Sequence, residues 1–348
     1  MKTSRRDFIL KSTVAASGLA LLPASAVLAS KKEKNKPEGP VIVDPKKALT
    51  GTFVTLGRKH NWSQTQWDSQ FQEMNDIGMD TAIVQFAAVD GVAWFDTSAS
   101  HIKTIYPNVI PMLLAAAEKK EMSVHLGLDF SKEYWKNATN KEWLQLHADR
   151  ANAVATELST QFGDNPALKG WYISHEPSAG AYHSKELLVL LKDNLINRIS
   201  DYLHTLDSRP VSISPFWNST STSPEQLKDF MAGLGKTNLQ IIMLQDGVGV
   251  NHVTLDKVGQ YYMEADRGLF ENTGYKGEFW TDIETFSFAP QGPPTMDRLK
   301  IQLREEMATP HISKAVCFIY YGNMSADSSK DYAAKFRNEY IRFIKSME

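Results

Sequence analysis

Two short stretches carry the residue types from which hydrolytic chemistry can be built. Gly170-Trp-Tyr-Ile-Ser-His175-Glu176-Pro177 runs from β-type apolar residues straight into an imidazole, a carboxylate and a proline. Trp280-Thr-Asp282-Ile-Glu284-Thr-Phe286 sets two acids two residues apart, and alternation along a strand puts such residues on one face. Cleaving a glycosidic bond needs two carboxyl groups, one to protonate the leaving oxygen and one to attack the anomeric carbon or to activate water. Glu176 and Glu284 are the candidates for that pair. Against this stand plainer roles, a cap or salt bridge for Glu176 and an ion pair with Arg58 or Arg298 for Glu284. Asp282 has two open readings, a like charge that raises the pKa of a neighbouring acid or a buried partner for a Lys or Arg. Serine chemistry is not indicated, because no G-x-S-x-G elbow occurs. His60, His175, Asp246 and Glu284 lack the local spacing of a zinc site, so neither metal nor cofactor is expected.

Positioning such a pair requires strand ends that converge. Strand-type runs fall at Thr52–Leu56, Thr81–Ala88, Ser123–Phe130, Leu168–His175, Pro210–Phe216, Leu239–Gln245, Glu278–Ile283 and Lys314–Tyr320. Segments of helical spacing separate and follow them: Gln64–Ile77, Asn108–Lys120, Lys141–Phe162, Ser184–Leu206, Pro224–Leu234, Leu255–Asn272, Met296–Thr309 and Lys330–Ser346. In the fourth, Leu187, Leu188, Leu190, Leu191, Leu195, Ile199 and Leu203 keep an i, i+3, i+4 register suited to packing on a sheet. Strands and helices alternating in this way predict an α/β fold, a single (β/α)8 TIM barrel over residues 48–348. The rival open sheet lacks its phosphate loop, since Leu56-Gly-Arg58-Lys-His60-Asn-Trp62 follows the first strand.

In such a barrel the chemistry sits where the strands exit. The exits collect Arg58 and His60, then His175 and Glu176, Trp217, Gln245 and Asp246, Asp282 and Glu284, and Tyr320. Carboxylates, amides and large aromatics gathered at one rim suit a sugar, whose hydroxyls want polar pairs and whose C–H faces want rings. Trp217, Trp280 and Tyr320 are the candidate platforms, although barrel aromatics are commonly core. His175, Gln245, Asp246, Arg58 and His60 are candidate hydroxyl ligands or a polar wall, Asp246 with a rival reading as an Asp-Gly turn.

A Glu-Pro at the end of strand four with a second Glu at the end of strand seven resembles the clan A retaining glycoside hydrolases. The resemblance implies Glu176 as acid/base and Glu284 as nucleophile. The clan usually carries Asn before the first Glu, where this chain has His175. Gly170–Pro177 together with Ser-Pro-Phe-Trp-Asn (214–218), Leu-Gln-Asp-Gly-Val-Gly (244–249) and Trp280–Phe286 looks like the bacterial family of domain of unknown function 4434, grouped with glycosidase-like TIM barrels. That likeness implies the barrel and leaves the reaction to be argued from the site.

The N-terminus reads as an address. Ser4-Arg5-Arg6-Asp7-Phe8-Ile9-Leu10-Lys11, an apolar stretch to Leu22 and small residues up to Ala29 predict a twin-arginine export signal over residues 1–29. Charged, Pro-containing residues 30–47 read as a linker with room for one short strand at Val41–Val43. The sole cysteine, Cys317, lies far from this signal, so no lipid anchor and no internal disulfide are expected. The full chain holds 38 basic and 40 acidic residues; without residues 1–29, which carry four basic and one acidic, the balance is 34 to 39, or −5. That excludes the basic face of a nucleic-acid binder. The expectation is therefore an exported, periplasmic or extracellular glycoside hydrolase of retaining type acting on a poly- or oligosaccharide, with no membrane anchor. A non-catalytic glycan-binding barrel is the alternative, and a metal-dependent hydrolase or deacetylase a third.

Overall fold

A computed structural model of the chain describes residue 44, residues 47–288 and residues 294–347. The expected export signal, nearly all of the linker, and part of the Pro- and Gly-rich loop between Thr285 and Thr295 lie outside the described residues.

Eight strands close into a parallel barrel: β1 (Leu49–Val54), β2 (Thr81–Val84), β3 (Ser123–Gly127), β4 (Leu168–Ile173), β5 (Val211–Ile213), β6 (Ile241–Gln245), β7 (Glu278–Glu284) and β8 (Ile312–Phe318). Each pairs with its sequence neighbours and β1 pairs with β8, so the described barrel is the (β/α)8 fold that the alternation predicts. The principal outer helices are α1 (Gln64–Asn75), α2 (Val109–Glu118), α3 (Lys141–Phe162), α4 (Lys185–Leu191 and Asn197–Leu206, joined by a π-turn), α5 (Pro224–Leu234), α6 (Leu255–Phe270), α7 (Met296–Met307) and α8 (Ala333–Lys345). α1 and α5 begin with capping boxes, Ser63 with Gln66 and Ser223 with Gln226, each satisfying amide groups that a helix start leaves unpaired.

Two apolar clusters follow from strand alternation. Phe53, Ile83, Tyr172, Met243, Trp280 and Val316 fill the barrel interior. The residues between them in sequence, such as Val54, Trp171, Ile173 and Cys317, join the larger layer beneath the helices. The same alternation decides which residues beyond each strand end face inward. Over the exits of β2 and β3 lies a small sheet in the order Thr104–Ile105, Val92–Ala93, Ala88–Val89, Asp129–Phe130.

Candidate active site

Glu176 owes its position to an extended segment that outlasts β4. The Phe216 N–H donates to Pro177 O at 3.0 Å and the Ala179 N–H to Phe216 O at 3.0 Å, so the chain past Ile173 stays paired with the extension of β5. With Tyr172 in the inner cluster, alternation turns Ser174 and Glu176 inward and Ile173 and His175 outward. The Ser174 hydroxyl binds Gln85 O at 3.0 Å and Leu128 O at 3.2 Å, which draws the end of β4 against those of β2 and β3.

Glu284 ends β7 on the inward face shared with Trp280 and Asp282. Its Oε2 accepts the Val250 N–H at 2.9 Å, so the loop after β6 holds the carboxylate. Two glycines allow that loop to approach. Gly247 has φ +73°, a left-handed conformation that favours glycine. A Cβ on Gly249 would lie 2.4 Å from Phe286 O and 2.9 Å from the Glu284 Cβ. The Phe288 N–H adds a bond to Gly249 O at 2.8 Å. The sequence pair Leu244–Gly249 and Trp280–Phe286 is thus one constellation.

Behind the carboxylate lies a buried polar network. Asp246 Oδ1 accepts the Val248 N–H at 3.0 Å, and its Oδ2 accepts the Glu284 N–H at 3.3 Å and the Gln302 amide from α7. Arg298 of α7 donates to Glu284 O at 2.8 Å and Phe286 O at 2.9 Å, clamping the backbone on either side of Thr285. Tyr262 of α6 meets Leu244 O at 2.7 Å and the Thr281 hydroxyl at 2.8 Å, and that hydroxyl donates to Glu306. Burial pushes Asp246 above the usual carboxylate range against the pull of its N–H donors. Burial, reinforced by the nearby Asp246 charge, pushes Glu306 well up.

Several expected ligands stand elsewhere. His175 sits in an aromatic shell, its ring 5.1 Å from Tyr134, 5.4 Å from Phe130 and 6.3 Å from Trp143, because its parity turns it toward α3. Asp246 takes the turn role that Asp-Gly suggested, with both oxygens holding the β6 and β7 ends. Trp217 is core, stacked on Tyr261 at 4.0 Å with its indole N–H on Gln245 O. Tyr320 likewise points outward, its hydroxyl between Glu73 (3.1 Å) and Arg337 (2.9 Å). Trp280 faces inward at the opposite end of the barrel, 5.9 Å from His125 and under the Lys314 ammonium at 5.4 Å. Arg58 is exposed, and His60 packs its ring on Tyr106 at 4.7 Å. Gln245 and Asp282 do face the interior: the Gln245 amide donates to Ser214 O at 3.1 Å, and the Ser214 hydroxyl donates to Asp282 Oδ2 at 3.0 Å. Among the described residues no cluster of His, Cys, Asp and Glu stands ready to hold a metal ion.

Sequence reasoning passed over Lys59, between its two basic candidates. This lysine is buried, donates to Thr55 O at 2.7 Å and lies over the Tyr321 ring at 4.5 Å, and burial lowers its pKa to about 7. It also passed over Gln85, polar in the apolar run Thr81–Ala88, and over Gln302 and Arg298, whose helix gives no local sign that it serves a strand end.

The family model described as domain of unknown function DUF4434 matches residues 49–331. A structure described as a "putative alpha-L-fucosidase" from Bacteroides thetaiotaomicron is similar with a TM-score of 0.71 at 22% identity, over 91% of this chain and 99% of that one. An endo-1,4-beta-mannanase from Rhizomucor miehei follows at 0.56 and 14%, over 89% and 99%. An intracellular xylanase from Thermoanaerobacterium saccharolyticum gives 0.53 and 14%, over 85% and 93%. At these identities the likeness is one of fold, the barrel that glycoside hydrolases use. No curated protein matches the chain in sequence. No helix among the described residues is long and apolar enough to cross a membrane.

Proposed function

The chain belongs to the family of domain of unknown function 4434, and from that premise we propose that it is an exported glycoside hydrolase of retaining type, acting on a poly- or oligosaccharide. What supports the proposal is that Glu284 ends β7 on its inward face with its carboxylate on the Val250 N–H, and that alternation carried past the end of β4 gives Glu176 the inward parity at the same end of the barrel. Glu176 is the proton donor and Glu284 the nucleophile. Glu284 attacks the anomeric carbon as Glu176 protonates the departing oxygen; Glu176, then a base, activates the water that releases the sugar. The Val250 N–H bond keeps the Glu284 carboxylate in one orientation.

The test is reducing-sugar release by the mature protein across a panel of bacterial, plant and host glycans, beside Glu176→Gln and Glu284→Gln. Each variant should lose at least 10²-fold in kcat, on the order expected for removing an acid/base or a nucleophile. Exchange of azide for water should rescue Glu284→Gly, giving a glycosyl azide of inverted configuration if the first step is a displacement. Glycan binding without turnover in the wild type would move the assignment to a binding protein on the same barrel, and turnover in both variants would remove the pair from the mechanism.

A further inference from the structure

Gln85 is the inward polar group at the rim that nothing above employs. It follows the last residue of β2, and with Ile83 in the inner cluster alternation turns it into the barrel. It is 0% exposed, and neither its Oε1 nor its Nε2 has a hydrogen-bond partner among the described residues. Inward polar groups at the exits of β5, β6 and β7 are committed: Gln245 to Ser214 O, Ser214 to Asp282, and Glu284 Oε2 to the Val250 N–H.

The position is rigid. The Gln85 N–H donates to Val54 O at 3.0 Å and its carbonyl accepts the Ser174 hydroxyl at 3.0 Å. Gly127 presses so close that a Cβ there would lie 2.4 Å from Gln85 O. Ser174 stands two residues before Glu176 on the same face, so the Gln85 backbone lies beside the strand that delivers the acid. A buried amide with neither end paired weakens the fold unless something supplies a donor and an acceptor together. Adjacent hydroxyls on a sugar ring do so, one donating to Oε1 and the other accepting from Nε2.

We propose that Gln85 is a specificity-determining residue that grips a vicinal pair of free hydroxyls on the sugar unit bound in the barrel mouth. The inference rests on the sugar-binding part of the reading above and names its substrate class: a neutral glycan unit unsubstituted at two neighbouring positions. Sugars alkylated, acylated or deoxygenated at either position are refused, because one end of the amide is then left unpaired.

The experiment reads binding, so loss of catalysis does not confuse it. Calorimetric titration with L-fucose, D-mannose, D-xylose and D-galactose, each beside its monodeoxy analogues, is run on wild type, Gln85→Met and Gln85→Asn. The wild type should bind at least one parent sugar and bind one of its deoxy analogues at least tenfold more weakly. Both variants should bind the parent at least tenfold more weakly than wild type and no longer separate it from that analogue, and Gln85→Met, which removes the unpaired amide at nearly constant volume, should melt at or above the wild-type temperature without sugar. Binding equal to wild type in Gln85→Met would overturn the proposal, as would a wild type that binds no sugar. A fall of several degrees in the ligand-free melting temperature of both variants would also overturn it, since the amide would then be structural. A wild type that binds sugar with this selectivity yet hydrolyses nothing would support Gln85 while the catalytic reading fails.

Discussion

Asp246 shows how one buried carboxylate can hold another in place. Its two oxygens take three donors, the N–H groups of Val248 and Glu284 and the amide of Gln302. In Asp246→Asn the new NH2 would face at least one of those donors. A donor set against a donor in a buried site should cost roughly 1–3 kcal/mol of stability. We expect a lower melting temperature together with a fall of about tenfold or more in kcat at little change in KM, because Glu284 is displaced while the sugar contacts remain. Calorimetry beside steady-state kinetics checks both; unchanged kcat would show that Glu284 keeps its place without this support. Residue identity alone revealed little of this. Asp-Gly signals a turn and does so here, but the third partner arrives from α7, 56 residues further on.

The alternation of elements was legible because each strand buries both faces and each helix buries one, which sets short continuous apolar runs against segments of 3.6-residue period. Both bounds of α3 and of α5 agree with their sequence readings. The rim was harder to read, because a residue's direction depends on the parity of its distance from the strand, and the apolar runs continue past the strand ends. β2 stops at Val84 where the run reads on to Ala88, so nothing in the sequence marks Gln85 as an exit residue. Trp217 and Tyr320 have the outward parity; Trp280 has the inward parity but sits at the wrong end. Glu-Pro and Asp-x-Glu, by contrast, stand at strand exits where parity and end agree, which is why Glu176 and Glu284 remain the pair to test. The same element-level geometry makes Gly249 a sensitive position. Gly249→Ala must move the loop off Phe286 O and Glu284, and overpacking of this kind should cost about 1–3 kcal/mol. Its kcat should fall at least tenfold, whereas Gly57→Ala, where a Cβ meets nothing within 4 Å, should behave as wild type. Equal kinetics for the two alanine variants would contradict the close packing described here.

For the molecule as a whole, buried bases and buried acids pull the pH dependence in opposite directions: Asp246 and Glu306, raised by burial, favour the folded chain in acid, and the lowered bases favour it at higher pH. Burial, helped by the Lys314 charge, lowers His125 from 6.5 to about 4. The unfolded chain then binds more protons than the folded one between those values, so stability rises from pH 4 to 6.5 and is lost as pH falls back through that window. Lys59, lowered from 10.5 to about 7, acts with the same sign between pH 7 and 10.5. Urea unfolding at pH 4.5 and 7 isolates the His125 contribution by difference: on going to pH 4.5 wild type should lose up to about 3 kcal/mol more stability than His125→Gln, the Asp246 and Glu306 contributions being common to both. A variant with the full wild-type difference would assign the effect to other groups. The closure of the barrel has a consequence for biosynthesis. The Leu49 N–H, on the first strand, donates to the Tyr340 hydroxyl on α8 at 2.8 Å, across 291 residues of chain. A ribosome delivers these two partners at opposite ends of its work, so the seam between β1 and β8 can be stitched only after nearly the whole polypeptide has been made. Until then a nascent barrel carries two raw strand edges that its own last strand and C-terminal helix are not yet there to cover.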